Sequence, residues 1–249
     1  MKKKKLKSVL HGLFFLLITS CPVNWCMASV HLNKTIIYFD NNGKINDEIA
    51  VINQGDETLY LRIEPSIVSA AGLPQESKAT YRDPQAAGLL VTPQRMVLAP
   101  GEKKRIQLVR LDNIKNTQIE KVFRILVKPE VGEVKSSLTG MKILVAYDVL
   151  VLFQPEQPKP VLAAEFKRNE IIIFNHGNTN VLLKSGYQCP ASQSIDQPEN
   201  QCVALKGKRL YAGNQWRTSI RYKTPVHYNI AVGSENSAIV FSADLPVKP

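Results

Sequence analysis

The residues of this chain that could hold a metal or attack a carbonyl are few and scattered. Its cysteines are Cys21, Cys26, Cys189 and Cys202, and its histidines beyond the N-terminal segment are His31, His176 and His227. Those histidines stand at no ligand spacing to one another or to a cysteine, so no metal site is expected. No nucleophile elbow, phosphate-cradling glycine loop or zinc-protease motif occurs, which argues against an enzyme and leaves no need for a cofactor. What remains is the pair Cys189 and Cys202. It brackets the polar loop PASQSIDQPENQ and, in an oxidising compartment, most simply closes a disulfide. On the chain-entropy argument a loop of that size contributes roughly 3 kcal/mol.

The compartment is read from the N-terminus. MKKKKLKSVLHGLFFLLITSCPVNWCMA has a lysine-rich start, an apolar run over 10–18 and small residues near Ala28, the order of a secretory signal, so residues 1–28 are set aside from the fold. The preferred cleavage follows Ala28. A lipoprotein-type processing box around Cys21 is the alternative. No later apolar run reaches the roughly 20 residues needed to span a bilayer, so no stable membrane insertion is expected. Removing the signal takes away Lys2, Lys3, Lys4, Lys5 and Lys7, which lowers the formal net charge from +11 to about +6. The charge that is left favours acidic partners, but no dense basic run interleaved with aromatics points to nucleic acid.

The elements that would position any site read as strands. After the signal, the apolar runs are short, rich in Val, Ile, Leu and aromatics, and ended by Gly, Asn, Asp or Pro, the punctuation of a β-sandwich. The runs predict strands over 34–39, 47–53, 59–64, 89–92, 96–98, 104–111, 121–128 and 141–153. A second series covers 170–175, 181–188, 202–204, 208–211, 216–222, 227–232 and 238–242. Between them QPEQPKP carries three prolines in seven residues and reads as a stiff, exposed joint. The expectation is an all-β chain of two unequal domains, 29–154 and 161–249, with 155–160 as linker.

One run is unusual. TGMKILVAYDVLVLF (139–153) is apolar on both faces: Met141, Ile143, Val145, Tyr147, Val149 and Val151 alternate with Leu144, Ala146, Leu150 and Leu152. Antiparallel sandwiches bury one face of a strand and wet the other, so a second buried face needs a second cover. Burial of both faces within its own domain is one reading, and a cover from outside is the other.

Four stretches carry a resemblance to a known family: GLLVTPQRMVLAPGEKKRIQL (88–108), VFRILVKP (122–129), the long apolar strand ending at Pro155, and EIIIFNHGN (170–178). In their order and spacing they resemble the PapD-like periplasmic pilus chaperones of the chaperone-usher pathway, in the alternate branch of the CfaA-like, class 5 chaperones. The Cys189 and Cys202 pair also looks like the second domain of that branch. The resemblance implies two immunoglobulin-like domains in a boomerang arrangement and a periplasmic protein. Such a protein lends side chains of its last long first-domain strand to incomplete pilin subunits and delivers them to an outer-membrane usher. Met141, Ile143 and Val145 would be the donated side chains, with Tyr147 at the groove edge. The loop 128–140 would become ordered once a pilin is bound, and an exposed apolar edge of this kind invites self-association in the free protein.

The resemblance has a gap. The better-known members anchor the pilin's C-terminal carboxylate with an arginine in the first strand and a lysine late in the donor strand, but Ile36 and Leu150 stand at those positions. The cleft's cation must come from elsewhere, with Arg124 the first candidate and Lys34 the second; an ion pair with Glu120 is the structural alternative for Arg124. Asp148 is assigned no role. A secreted Ig-like adhesin or binding module is the alternative function, and it would need no spare apolar face at Met141, Ile143 and Val145.

Overall fold

The computed structural model describes residues 30–40, 43–111, 117–130, 144–191, 202–233 and 235–243. The expected signal, Cys21, most of the 128–140 loop, Met141 and Ile143 lie outside these residues. Four sheets stack in pairs into two β-sandwiches. In the first, β1 (Val30–Leu32), β3 (Asn46–Asn53), β8 (Lys103–Arg110) and β6 (Leu89–Thr92) form one sheet in that order. The facing sheet runs β2 (Ile36–Phe39), β10 (Tyr147–Phe153), β9 (Lys121–Glu130), β4 (Leu59–Ser69) and β5 (Ser77–Thr80), with β7 (Arg95–Leu98) also paired to β4. A single turn, α1 (Pro84–Ala87), capped by the Asp83 side chain, leads into β6. Among the described residues every strand pairing is antiparallel except β2 on β10, which is parallel.

The second sandwich sets β11 (Leu162–Lys167), β12 (Glu170–Asn175) and β16 (Gln215–Ser219) against a sheet of β14 (Val203–Leu205), β13 (Val181–Gln188), β17 (Val226–Val232) and β18 (Glu235–Ala243). A further strand, β15 (Lys208–Leu210), also pairs with β13. Cys189 and Cys202 are joined as a disulfide between the end of β13 and the start of β14.

Alternation explains most of these elements. In β4, Leu59, Leu61 and Ile63 are buried while Tyr60, Arg62 and Glu64 face outward. The strand nevertheless runs past Glu64 through a proline. Ile63 N bonds Gln94 O on the β7 side, so the Pro65 nitrogen points to that same side. There it meets the gap between β7, which pairs to Arg62, and β5, which pairs from Ser66, and no ladder bond is lost. The strands that alternation did not signal are short or weakly apolar: β1, the exposed β5 and the edge strand β11, whose Ala, Glu and Lys are poor strand formers.

The two sandwiches repeat one device. Glu48 to Leu61, EIAVINQGDETLYL, and Glu170 to Leu183, EIIIFNHGNTNVLL, share Glu, Ile, Asn, Gly and Leu at matching places. Asn53 ends β3, fully buried, and its Nδ2 donates to Glu57 O (2.8 Å), Leu98 O and Ala99 O (3.1 Å each) while Oδ1 accepts from Gly55 N. Asn175 ends β12, equally buried, and donates to Thr179 O (2.8 Å), Leu210 O (3.0 Å) and Tyr211 O (3.2 Å) while accepting from Gly177 N. Gly101 and Gly213, at φ 72° and 77°, close the two corners with N–H bonds of 2.9 Å to the Asn53 and Asn175 carbonyls. Each amide thus satisfies several buried backbone groups that the strands leave over.

Replacing Asn175 by Ala leaves those carbonyls buried without a donor and should cost about 2 to 4 kcal/mol. Urea unfolding of the purified chain measures it. Asn53→Ala should cost a similar amount, because its amide makes the same set of bonds.

Candidate functional site

The expectation that one face of the long strand is left over for a partner needs correction for its described part. Strand structure begins at Tyr147, and residues 144–146 are not in a strand. Within β10, Val149, Val151 and Phe153 are fully buried in the first sandwich's core, where Phe153 meets the rings of Phe39 (5.0 Å) and Phe123 (4.8 Å). The opposite face is also used. Leu150 and Leu152 form a second cluster with Val68 and Val122 of the same sheet and Tyr211 of the second sandwich, with Tyr38 and Ala71 packed around it. The cover for that face therefore comes from the same chain.

What is left over lies upstream. The core-facing row Phe153, Val151, Val149 ends at Tyr147, which is half-buried and donates its hydroxyl to Val30 O (2.8 Å); Val145, two residues upstream and outside the strand, is 44% exposed. The edge opens at the same place. β9 pairs with β10 along Tyr147 to Phe153, but β2 pairs only from Leu150, and the Leu150 N–H bonds Thr35 O. Among the described residues, Tyr147 to Val149 have no strand on their β2 side.

Where β2 begins, three elements place one row across the sheet: Ile36, Leu150 and Arg124 stand side by side, and Ser66 follows. The two positions at which the resemblance lacked its cations are thus neighbours, and Arg124 stands directly beside them. Its Nε is buried without a partner, and its Nη1 makes only a long contact to Asp148 O (3.5 Å). Among the described residues it meets no carboxylate. Glu120 does not pair with it.

Glu120 instead crosses to the second sandwich. Its Oε2 accepts from Thr179 Oγ1 (3.0 Å), Asn180 N (3.2 Å) and Asn180 Nδ2 (2.6 Å), and its own N–H bonds Asn178 O (2.9 Å). Burial raises its carboxyl above the ordinary value, against the pull of those bonds and of Arg209. Asn180 Oδ1 in turn accepts from Arg209 Nη1, and the Arg209 guanidinium lies 5.8 Å from the centre of the Tyr38 ring. Burial likewise raises the Tyr211 phenol, and the nearby Arg124 and Arg209 cations oppose that rise. The seam between the sandwiches is tied further by Asn178, whose Nδ2 donates to Gln118 O (2.9 Å) and Gln157 O (3.0 Å), and by Asn214 Nδ2 on Ala71 O (2.7 Å).

The remaining candidates have simpler surroundings. Lys34 pairs with Asp47, which also holds Lys44 at 2.8 Å. Burial alone would raise the Asp47 carboxyl, but the bonds from Lys34, Lys44 and the Glu48 N–H outweigh it and hold it low. Asp148 pairs with Lys78 at 2.5 Å. Arg209, Tyr211 and Asn180 are not marked by any sequence pattern, because their place at the site depends on how the second sandwich docks. Among the described residues no three His, Cys, Asp or Glu gather as a metal site would need, and no helix is long and apolar enough to cross a membrane.

No protein-family model matches the sequence. Among curated proteins it is 26% identical over 221 residues to a CFA/I fimbrial subunit of Escherichia coli, covering 85% of this chain and 88% of that one. It is 23% identical over 184 residues to a CS1 fimbrial subunit of Escherichia coli, covering 72% and 76%. Among solved structures it is similar to the class 5 fimbriae chaperone CfaA (TM-score 0.64, 20% identity, 88% of this chain and 100% of that one). It is also similar to the Salmonella enterica SafA pilin and SafB chaperone complex (TM-score 0.60, 14% identity, 88% and 97%). The fold shared with these structures is two immunoglobulin-like β-sandwiches.

Glu120 yields a prediction with a definite sign. A carboxyl whose folded-state value lies above its unfolded one binds protons more tightly in the folded chain, so stability falls as pH rises through that window. Denaturant unfolding at pH 7 and near pH 5 should show the wild type gaining stability on acidification relative to Glu120→Gln. An identical pH response in the two proteins would remove Glu120 as the titrating group.

Proposed function

We propose that the chain is a periplasmic chaperone of the chaperone-usher pathway, similar in kind to the class 5 chaperone CfaA. It binds fimbrial subunits, keeps them soluble and hands them to an outer-membrane usher. One observation carries this reading. The core-facing row of β10 runs out at Tyr147, the same alternation in the sequence leads on to exposed Val145, and among the described residues no strand pairs with the β2-side edge of Tyr147 to Val149. In the sequence, Ile143 and Met141 continue the same alternation.

The chemistry suits an incomplete Ig-like partner. A pilin lacking its last strand exposes a hydrophobic groove between two unpaired edges, which invites aggregation. A strand laid against the open edge of β10 gains main-chain hydrogen bonds, and alternate side chains of the donor fill the groove. Met141, Ile143 and Val145, at roughly 1.5 to 3 kcal/mol each on full burial, would contribute about 4 to 9 kcal/mol before the costs of association. Tyr147 borders the groove. Arg124 supplies the carboxylate anchor in the row where Ile36 and Leu150 stand, since a guanidinium without an ion pair can take a carboxylate through two parallel bonds. Lys34, committed to Asp47, is the weaker anchor. The 29–154 domain does the capturing, and the 161–249 domain walls the cleft.

A secreted adhesin of the same architecture is the competing reading, and the half-open edge beside an exposed apolar row disfavours it. Such an edge would be a liability in a protein with no partner to cover it.

Co-expression with a fimbrial subunit that co-purifies with the chain from the periplasm tests the proposal. Ile143→Asp should leave the isolated chain folded and abolish recovery of the soluble complex, and Val145→Asp should reduce it. Undiminished complex from Ile143→Asp would refute donation by this strand. Arg124→Ala should weaken capture by about tenfold, the worth of a charge-assisted bond, with thermal stability unchanged. Parallel loss of stability and capture would make Arg124 structural.

A further inference from the structure

The geometry points to Arg209, a residue of the second sandwich, as a positioning cation that closes on the chain terminus of a bound pilin together with Arg124 of the first. The inference rests on the chaperone reading and adds a second wall to its site. The edge of β10 sets the limits. A guest strand that pairs with the open part of that edge cannot continue past Val149, because β2 occupies the edge from Leu150 onward. If the guest runs parallel to β10, as β2 does, the blocked end is its C-terminal end. A chain that stops there presents a carboxylate at the start of β2, beside Ile36 and in the row of Arg124.

A carboxylate at that point meets cations from two sides. Ile36 and Tyr38 share the outer face of β2, and the Arg209 guanidinium lies over the Tyr38 ring. Tyr38 packs against the cluster of Leu150, Leu152 and Tyr211, and Arg124 stands beside Leu150 in the same sheet, so the two charges flank one apolar floor. Among the described residues neither makes a salt bridge, and Arg209 spends one hydrogen bond on Asn180 Oδ1, out of the five N–H donors a guanidinium carries.

Arg209 is also held in place before any guest arrives. Glu120 fixes Asn180 through both its backbone and side-chain N–H groups, and Asn180 fixes Arg209. A preset cation loses less side-chain freedom on binding than a free one. Because Glu120 and Arg124 belong to the first sandwich while Asn180 and Arg209 belong to the second, a carboxylate held by both arginines ties the sandwiches together. Capture and the docking of the two domains are then linked.

The experiment uses the full chain co-expressed with a fimbrial subunit that co-purifies with it, the subunit carrying either its native C-terminus or two added glycines that move the carboxylate away. Arg209→Gln should lower recovered complex about tenfold with the native pilin and less than about twofold with the extended one, and Arg209→Lys should restore part of the loss. Loss of equal size with both pilins, or no loss with either, overturns the assignment of Arg209. The Ile143→Asp variant separates this failure from failure of the chaperone reading. If Ile143→Asp abolishes the complex and Arg209→Gln leaves it untouched, only the second cation is wrong; if Ile143→Asp leaves it untouched, the capture model itself is wrong and the Arg209 assignment falls with it.

Discussion

A β-strand has two faces and two edges, and each must be covered or wetted. Around β10 nearly all of this demand is met inside the chain. One face fills the first sandwich, the other lies under Tyr211 of the second, one edge pairs with β9 along its whole length, and β2 closes part of the remaining edge. The unclosed part is short and lies at one end, where the strand leaves its own core. Localising the unmet demand in this way leaves only a short stretch of edge open to pairing.

The second sandwich has more to do than stand beside the first. Its ring Tyr211 covers the outer face of β10 and β9, so the packing of β10 depends on interdomain docking. That docking relies on buried polar groups. Glu120 sits in the seam with one carboxylate oxygen accepting three bonds and the other without a partner. A buried carboxylate is costly unless it is well bonded, so the arrangement fixes one relative placement of the sandwiches more than it adds stability.

The repeated asparagine corner explains how two similar units came to play different parts. In the first sandwich the corner built by Asn53 and Gly101 carries Ala99 and Val97, both exposed. In the second, the corner built by Asn175 and Gly213 carries Tyr211 and Arg209 at the matching places, and these reach across to β2 and β10. The backbone device is shared; the side chains hung on it differ.

Alternation of apolar and polar residues determined the all-β class, most of the strands and the two-faced character of 147–153, because period-2 patterning is a local property that burial imposes on each strand separately. The disulfide partners and the absence of a cation at Ile36 and Leu150 were equally legible. What covers the second face of β10 was not, since Tyr211 lies some sixty residues away and only docking brings it to Leu150 and Leu152. The passage of β4 through Pro65, the turn of Glu120 away from Arg124 and the arrival of Arg209 over Tyr38 belong to the same class. Each depends on which element occupies a neighbouring position in space, and only the tertiary structure decides that.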